Sequence, residues 1–193
     1  MSLPTLNYRK NCRIITWLCC GLIILGGFVA VVRGDGVRSD AEKRKIVYQM
    51  YSGYKKDFPD VRDISPQQAM DLLQQNQVTF VDTRKPAEMA VSMLPGAVSE
   101  QELFSRSEVY RDKTVVAYCT ISYRSGKFAA KMADQGITVI NMRGGILAWT
   151  LEGGKVYDQS GKEVKRIHVY GDTWDYAPAG YETVKFNLFE QLF

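Results

Sequence analysis

Hydrophobic positions fall into three kinds of run along this chain. The first kind occurs once, over residues 14–32, nineteen consecutive positions without a charge. That is about the length an α-helix needs to cross a bilayer. The second kind is short and solidly apolar or β-branched. It appears over residues 78–81, 115–117 and 138–140, with a shorter piece near Ala97 and Val98; residues 60–64, where Val61 and Ile64 are the apolar positions, are a further short strand candidate. Such runs predict strands covered on both faces. The third kind recurs at helical spacing. Ile46, Val47, Met50, Tyr51 and Tyr54 form one helical face behind a capping box that runs from Ser39 to Glu42. Ala69, Leu72 and Leu73 form a second, with Ser65 as cap and Pro66 in the first turn. Phe128, Ala129, Met132 and Ala133 form a third, stopped by Gly136. A brief helix is predicted over 86–89. A longer one spans 99–110 with Leu103 and Phe104 apolar, and a short one follows Gly144 and Gly145 and carries Trp149. Strands alternating with helices predict an α/β fold with a parallel sheet flanked by helices.

Beyond residue 153 the pattern changes. Residues 155–164 read as a hairpin around Ser160 and Gly161. An aromatic-rich stretch comes next, with Tyr170, Trp174, Tyr176 and Tyr181, then Phe186, Leu188, Phe189, Leu192 and Phe193. The expectation is a small C-terminal appendage packed on the domain. A tail that lies on a membrane or binds a partner is the alternative. The organisation expected is thus a tail over 1–13, a transmembrane anchor over 14–32, and a linker helix over 33–60. A domain over 61–153 and the appendage over 154–193 complete it.

Composition adds little until it is divided. The 193 residues are 46% hydrophobic and 24% charged, ordinary for a globular protein. The net charge is +4, but Arg9, Lys10, Arg13 and Arg33 all precede Asp35, and the 21 remaining basic residues match the 21 acidic ones. No nucleic-acid footprint is present, so no nucleic-acid partner is expected. A secretory signal peptide is the rival reading of residues 14–32, but no small-x-small cleavage site comes after Ala30. The flanking charges argue for a domain kept inside. The short basic tail resembles a signal anchor that exports the domain behind it, and the exported, periplasmic side is favoured. A membrane protein partner is compatible with such tethering.

Cys12, Cys19 and Cys20 lie in or beside the apolar span, which leaves Cys119 as the lone cysteine of the remainder. That excludes an internal disulfide and a multi-cysteine metal site there. Cys119 stands where the strand over 114–118 ends, facing a helix expected to begin just after Arg124. Ligands of open α/β sheets bind at that edge. The positive end of the helix favours a thiolate, and Arg124 adds a fixed charge. His168, the sole histidine, has no spacing relation to Cys119 and reads as structural or exposed.

Four ordered segments carry a family resemblance over residues 61–153. Asp82-Thr-Arg84-Lys-Pro86-Ala-Glu88 resembles the D-x-R-x-P-x-E of rhodanese (sulfurtransferase) domains. Residues 94–97, Leu-Pro-Gly-Ala, resemble the family's next motif, I-P-G-A. Cys119 through Arg124 and Ser125 resembles the active loop C-x-x-G-x-R-S, and residues 144–149 resemble the closing G-G-x-x-A-W. Two departures stand out: Ser92-Met93 replaces a Gly-His pair, and Ser122 replaces the loop glycine. If that backbone needs positive φ, serine carries strain.

The resemblance implies a catalytic persulfide on Cys119, with Arg124 stabilising it or positioning an anionic donor such as thiosulfate. It implies a loop of Thr120, Ile121, Ser122, Tyr123 and Ser125 around the substrate, with backbone N–H groups of residues 120–124 cradling the sulfur. Asp82, Arg84 and Glu88 are expected to support the neighbouring loop through ion pairs, and Trp149 to belong to the core. The acceptor would be a thiol or a cyanide-like species. No cofactor and no metal are implied. A persulfide carrier or binding module with little turnover is the second reading. A cysteine phosphatase or arsenate reductase is the third, disfavoured because four residues rather than five separate Cys119 from Arg124.

Overall fold

The computed structural model describes residues 38–110, 112–187 and 190. The expected tail and anchor lie outside the described residues, as do Leu188, Phe189, Leu192 and Phe193. Among the described residues no helix is long and apolar enough to cross a membrane.

Helix α1 (Asp40–Tyr54) opens on the expected capping box, with the Ser39 and Glu42 side chains each taking the other's backbone N–H. Strand β1 (Asp63–Ile64) leads into α2 (Pro66–Gln74), capped the same way by Ser65 and Gln68. Then come β2 (Val78–Asp82), α3 (Pro86–Met89), β3 (Val98–Ser99), α4 (Glu100–Ser105) and α5 (Ser107–Tyr110). The centre of the molecule is β4 (Thr114–Tyr118), followed by α6 (Tyr123–Ala133), β5 (Ile140–Met142) and α7 (Gly145–Leu151). The five strands form one parallel sheet in the order β1-β5-β4-β2-β3.

Strand alternation sorts the helices onto two faces. Phe80, Val116 and Tyr118 point to one side and pack with Val47 of α1, Ala69 of α2, and Ile146, Leu147 and Trp149 of α7. Val81 and Ala117 point to the other, against Leu103 of α4 and Phe128, Ala129 and Met132 of α6. Each of the valine, leucine, isoleucine, methionine and phenylalanine side chains among them stabilises the fold by about 1.5–3 kcal/mol relative to exposure. Trp149 is buried as expected, edge-on to Phe80 at 5.4 Å, with its N–H donated to the Lys155 carbonyl at 2.9 Å.

Three local expectations shift. The last sheet strand is Ile140–Met142, two residues later than the apolar run over 138–140. Val139 is buried against the α6 side, but ladder pairing starts at Ile140 opposite Val116. The helix over 99–110 breaks at Arg106, whose backbone leaves helical geometry, and Phe104 is half exposed. Helix α6 begins at Tyr123, so Arg124 lies inside its first turn rather than before it.

Past residue 153, β6 (Val156–Tyr157) and β7 (Glu163–Val164) form the expected antiparallel hairpin. Then β8 (Arg166–His168) pairs in parallel with β9 (Glu182–Val184), with a 3-10 turn over Asp172–Trp174 between them. This segment is joined to the sheet. Val156, Ile167, Val169 and Ala177 belong to the same core cluster as Phe80 and Trp149. It also meets α1: the Lys43 ammonium donates to the Ala177 carbonyl at 2.7 Å, and the Ala179 N–H donates to Asp40 Oδ1 at 2.8 Å.

Candidate active site

Cys119 ends the central strand and is 2% exposed. The loop after it is gripped from behind by α7. The Ile146 N–H donates to the Cys119 carbonyl at 2.9 Å, and the Leu147 N–H to that of Thr120 at 3.3 Å. With the carbonyls held there, the loop turns an N–H toward the sulfur: that of Ser122, 3.2 Å from Sγ. The glycine that opens α7 makes this close approach possible. A Cβ on Gly145 would sit 2.2 Å from the Cys119 carbonyl oxygen, and its φ is +58°.

Ser122 has φ +69° and ψ +22°, the left-handed conformation that the loop demands. Serine holds it because its hydroxyl donates to the Met142 carbonyl and its own carbonyl accepts from Asn141 Nδ2 at 3.2 Å. Asn141 is fully buried, takes the Ser125 hydroxyl at 2.7 Å, and donates to the Tyr51 hydroxyl at 3.2 Å. The Tyr51 hydroxyl donates in turn to Asp63 at 2.7 Å. Burial first, then the Asp63 carboxylate, pushes the Tyr51 phenol far up, so it stays a neutral donor. A chain of polar groups, buried up to Tyr51 on α1 and ending at the exposed Asp63 on β1, thus fixes the loop.

Arg124 is held by Glu88. Its two terminal nitrogens meet the two carboxylate oxygens at 2.6 and 2.7 Å, and Nη2 also reaches the Thr120 hydroxyl at 3.2 Å. Thr120 in turn donates to Glu88 Oε1, and the Lys85 N–H to Oε2. Glu88 is fully buried. Burial alone would raise its carboxyl, but the Arg124 pair outweighs it and holds it below the ordinary value. Burial likewise opposes the Arg124 charge, and Glu88 and Cys119 override it and raise the guanidinium.

The expected residues divide into three sets. Cys119, Thr120, Ile121, Tyr123 and Arg124 line a cavity of about 370 Å³. Ser122 and Ser125 do not line it: both hydroxyls are buried and turned to Met142 and Asn141, because each is needed to anchor the loop. Asp82 and Arg84 are a buried pair apart from the cavity. Asp82 takes Arg84 at 2.7 Å and the Tyr118 hydroxyl at 2.6 Å, and so braces the residue before Cys119. Of Asp82, Arg84 and Glu88, it is Glu88 that pairs with the Cys119 loop, through Thr120 and Arg124. His168 is buried, its Nδ1 accepting the Tyr170 N–H at 3.0 Å, and burial lowers its pKa and keeps it neutral.

Four cavity residues have no signal in the spacing: Tyr54, Lys85, Tyr170 and Trp174. They come from α1, the start of α3 and the C-terminal segment, and only the folded chain brings them to Cys119. Asn141, Tyr51 and Asp63 are likewise invisible as a network in the sequence.

A strand-end cysteine in a helix-capped loop on a parallel α/β sheet defines a class of fold, and comparison with known proteins names it. The model of the rhodanese-like domain matches residues 65–152. The chain is 41% identical to a sulfurtransferase of Allochromatium vinosum over 80 residues, 39% of this chain and 75% of that protein. It is 34% identical to a tRNA uridine(34) hydroxylase of Synechocystis over 94 residues, 44% of this chain and 34% of that one. A crystal structure of a Bacillus halodurans protein aligns with a TM-score of 0.45 at 23% identity, covering 58% of this chain and 87% of that chain. The chain belongs to the rhodanese-like family. Its match spans three quarters of the first relative and about a third of the second.

Proposed function

We propose that the protein is a sulfurtransferase that carries sulfane sulfur on Cys119. The Cys119 thiolate attacks the outer sulfur of a donor such as thiosulfate. A sulfur–sulfur bond forms to the cysteine, the donor's own sulfur–sulfur bond breaks, and sulfite leaves with the electron pair. A thiolate or cyanide then takes the terminal sulfur and restores the Cys119 thiolate, a ping-pong cycle. The observation that carries this reading is the Ser122 N–H on Sγ, in a loop whose carbonyls are tied to α7. Such a loop offers N–H dipoles to an anionic sulfur. Arg124, fixed by Glu88, presents its remaining exposed edge to the donor's anionic group. The sulfurtransferase name of the Allochromatium relative supports the same reading.

The spacing ranks sulfur transfer above phosphoryl transfer. Four residues separate Cys119 from Arg124, one fewer than in thiolate phosphatases, and no carboxylate or histidine lies in the loop as a general acid. In this account residues 14–32 tether the domain to a membrane, on the exported side, beside a membrane protein partner. Turnover with thiosulfate and cyanide tests the assignment: thiocyanate release by the wild type, abolished in Cys119→Ser, is expected. Turnover retained by Cys119→Ser contradicts it, and a persulfide without turnover points to a carrier.

A further inference from the structure

The cavity above Cys119 is walled by parts of the chain that the family match does not cover. Tyr54 lies before residue 65, and Tyr170 and Trp174 lie beyond 152. The three are built as one wall with Tyr123. Trp174 Nε1 donates to the Tyr54 hydroxyl at 3.3 Å. Tyr54 meets the Tyr123 ring at 5.2 Å, and Trp174 meets Tyr170 edge-on at 5.6 Å. Tyr170 has φ +66°. A bulky side chain rarely adopts that conformation, and such strain persists where surrounding structure enforces it. Here the His168 acceptor and the Phe186 N–H on the Tyr170 carbonyl enforce it. The lining also carries two cations, Lys85 and Arg124, and no carboxylate among the described residues.

At about 370 Å³ the cavity falls in the range of sites for organic ligands. Thiosulfate, the size of a sulfate ion, fills a small fraction of it and has no apolar body to set against the wall. We propose that the wall selects an anionic organic sulfur compound, with an aromatic or bulky apolar body, as the sulfur partner of Cys119. This rests on the sulfur-transfer reading above. In the donor half-reaction, Cys119 attacks the terminal sulfur of an organic thiosulfonate. The cysteine–sulfur bond forms, the bond to the sulfonyl sulfur breaks, and a sulfinate departs with the pair. The body of the compound packs against Trp174, Tyr54 and Tyr123, and its anionic head lies toward Lys85 and Arg124.

The test compares kcat/KM for benzenethiosulfonate with that for methanethiosulfonate in the full chain, alongside Cys119 persulfide formation from thiosulfate by mass spectrometry. The benzene-to-methane ratio is expected to fall about tenfold in Trp174→Ala, what one aromatic contact is worth, and to be kept in Trp174→Phe. Tyr123→Leu, at a position 36% exposed, is expected to lower the same ratio and serves if Trp174→Ala does not fold. A ratio unchanged in folded variants, with persulfide still formed from thiosulfate, overturns the wall's role and leaves sulfur transfer standing. No persulfide from any donor overturns both.

Discussion

Ser122 occupies a backbone position that favours glycine, and the structure shows what it gains there. The left-handed conformation costs a non-glycine residue about 1–2 kcal/mol, and the hydroxyl offsets part of this through the Met142 carbonyl. Ser122→Ala keeps the strain and strands the buried carbonyl, while Ser122→Gly strands it but relieves the strain. The alanine variant is therefore expected to be less stable than the glycine variant by about 1 kcal/mol, read as a lower Tm. Equal Tm values would mean the strain is absent. The strain was legible because a family glycine stands at that position; the compensating acceptor was not, since Met142 lies 20 residues away. Glu88 makes a second prediction. Its carboxyl is held below its ordinary value when folded, so the unfolded chain binds more protons in the window between the two values. Its stabilisation is complete above the ordinary carboxylate value and is lost as pH falls through the lower folded one. Thermal unfolding of the wild type and Glu88→Gln should differ most near neutral pH and converge in acid. A difference independent of pH would show that Glu88 acts only by its shape.

At the scale of elements, the periodicity located the helices and strands but not their registers. The strand expected over 138–140 slid to Ile140–Met142 because its ends are set by β4 and β1 on either side, and Val139 is apolar for a different reason, packing against α6. The close contact between α7 and the Cys119 loop is a property of two elements, and one glycine marks it. Gly145→Ala puts a Cβ into backbone at 2.2 Å and is expected to cost about 2–4 kcal/mol and to displace the loop. Gly53→Ala, at an exposed position of α1, meets nothing within 4 Å and is expected to stabilise by up to about 1 kcal/mol. Chemical denaturation of the pair checks the opposite signs. A mild Gly145→Ala would mean the loop is free to move off α7.

At the scale of the molecule, the segment matched by the family is less than the folded unit. The described residues, from Arg38 onward, belong to one compact unit. Val47 and Tyr51 of α1, and Ile167, Val169 and Ala177 of the C-terminal segment, are buried in it. The aromatic composition beyond residue 165 was visible in the sequence. Its destination was not, because Trp174 and Tyr54 meet across 120 positions. A chain limited to residues 61–153 is expected to lack cooperative unfolding, whereas one beginning at Arg38 keeps it. Calorimetry of the two decides this, and cooperative unfolding of the shorter chain would make the flanking segments ornaments to the core.

The central claim is that Cys119 carries sulfur, and intact-protein mass spectrometry with peptide mapping reads it directly. After exposure to thiosulfate, the account predicts a gain of one sulfur atom, located on Cys119, removed by cyanide and absent in Cys119→Ser. An unmodified Cys119 under those conditions, or aryl phosphate turnover that disappears with Cys119→Ser, would contradict it.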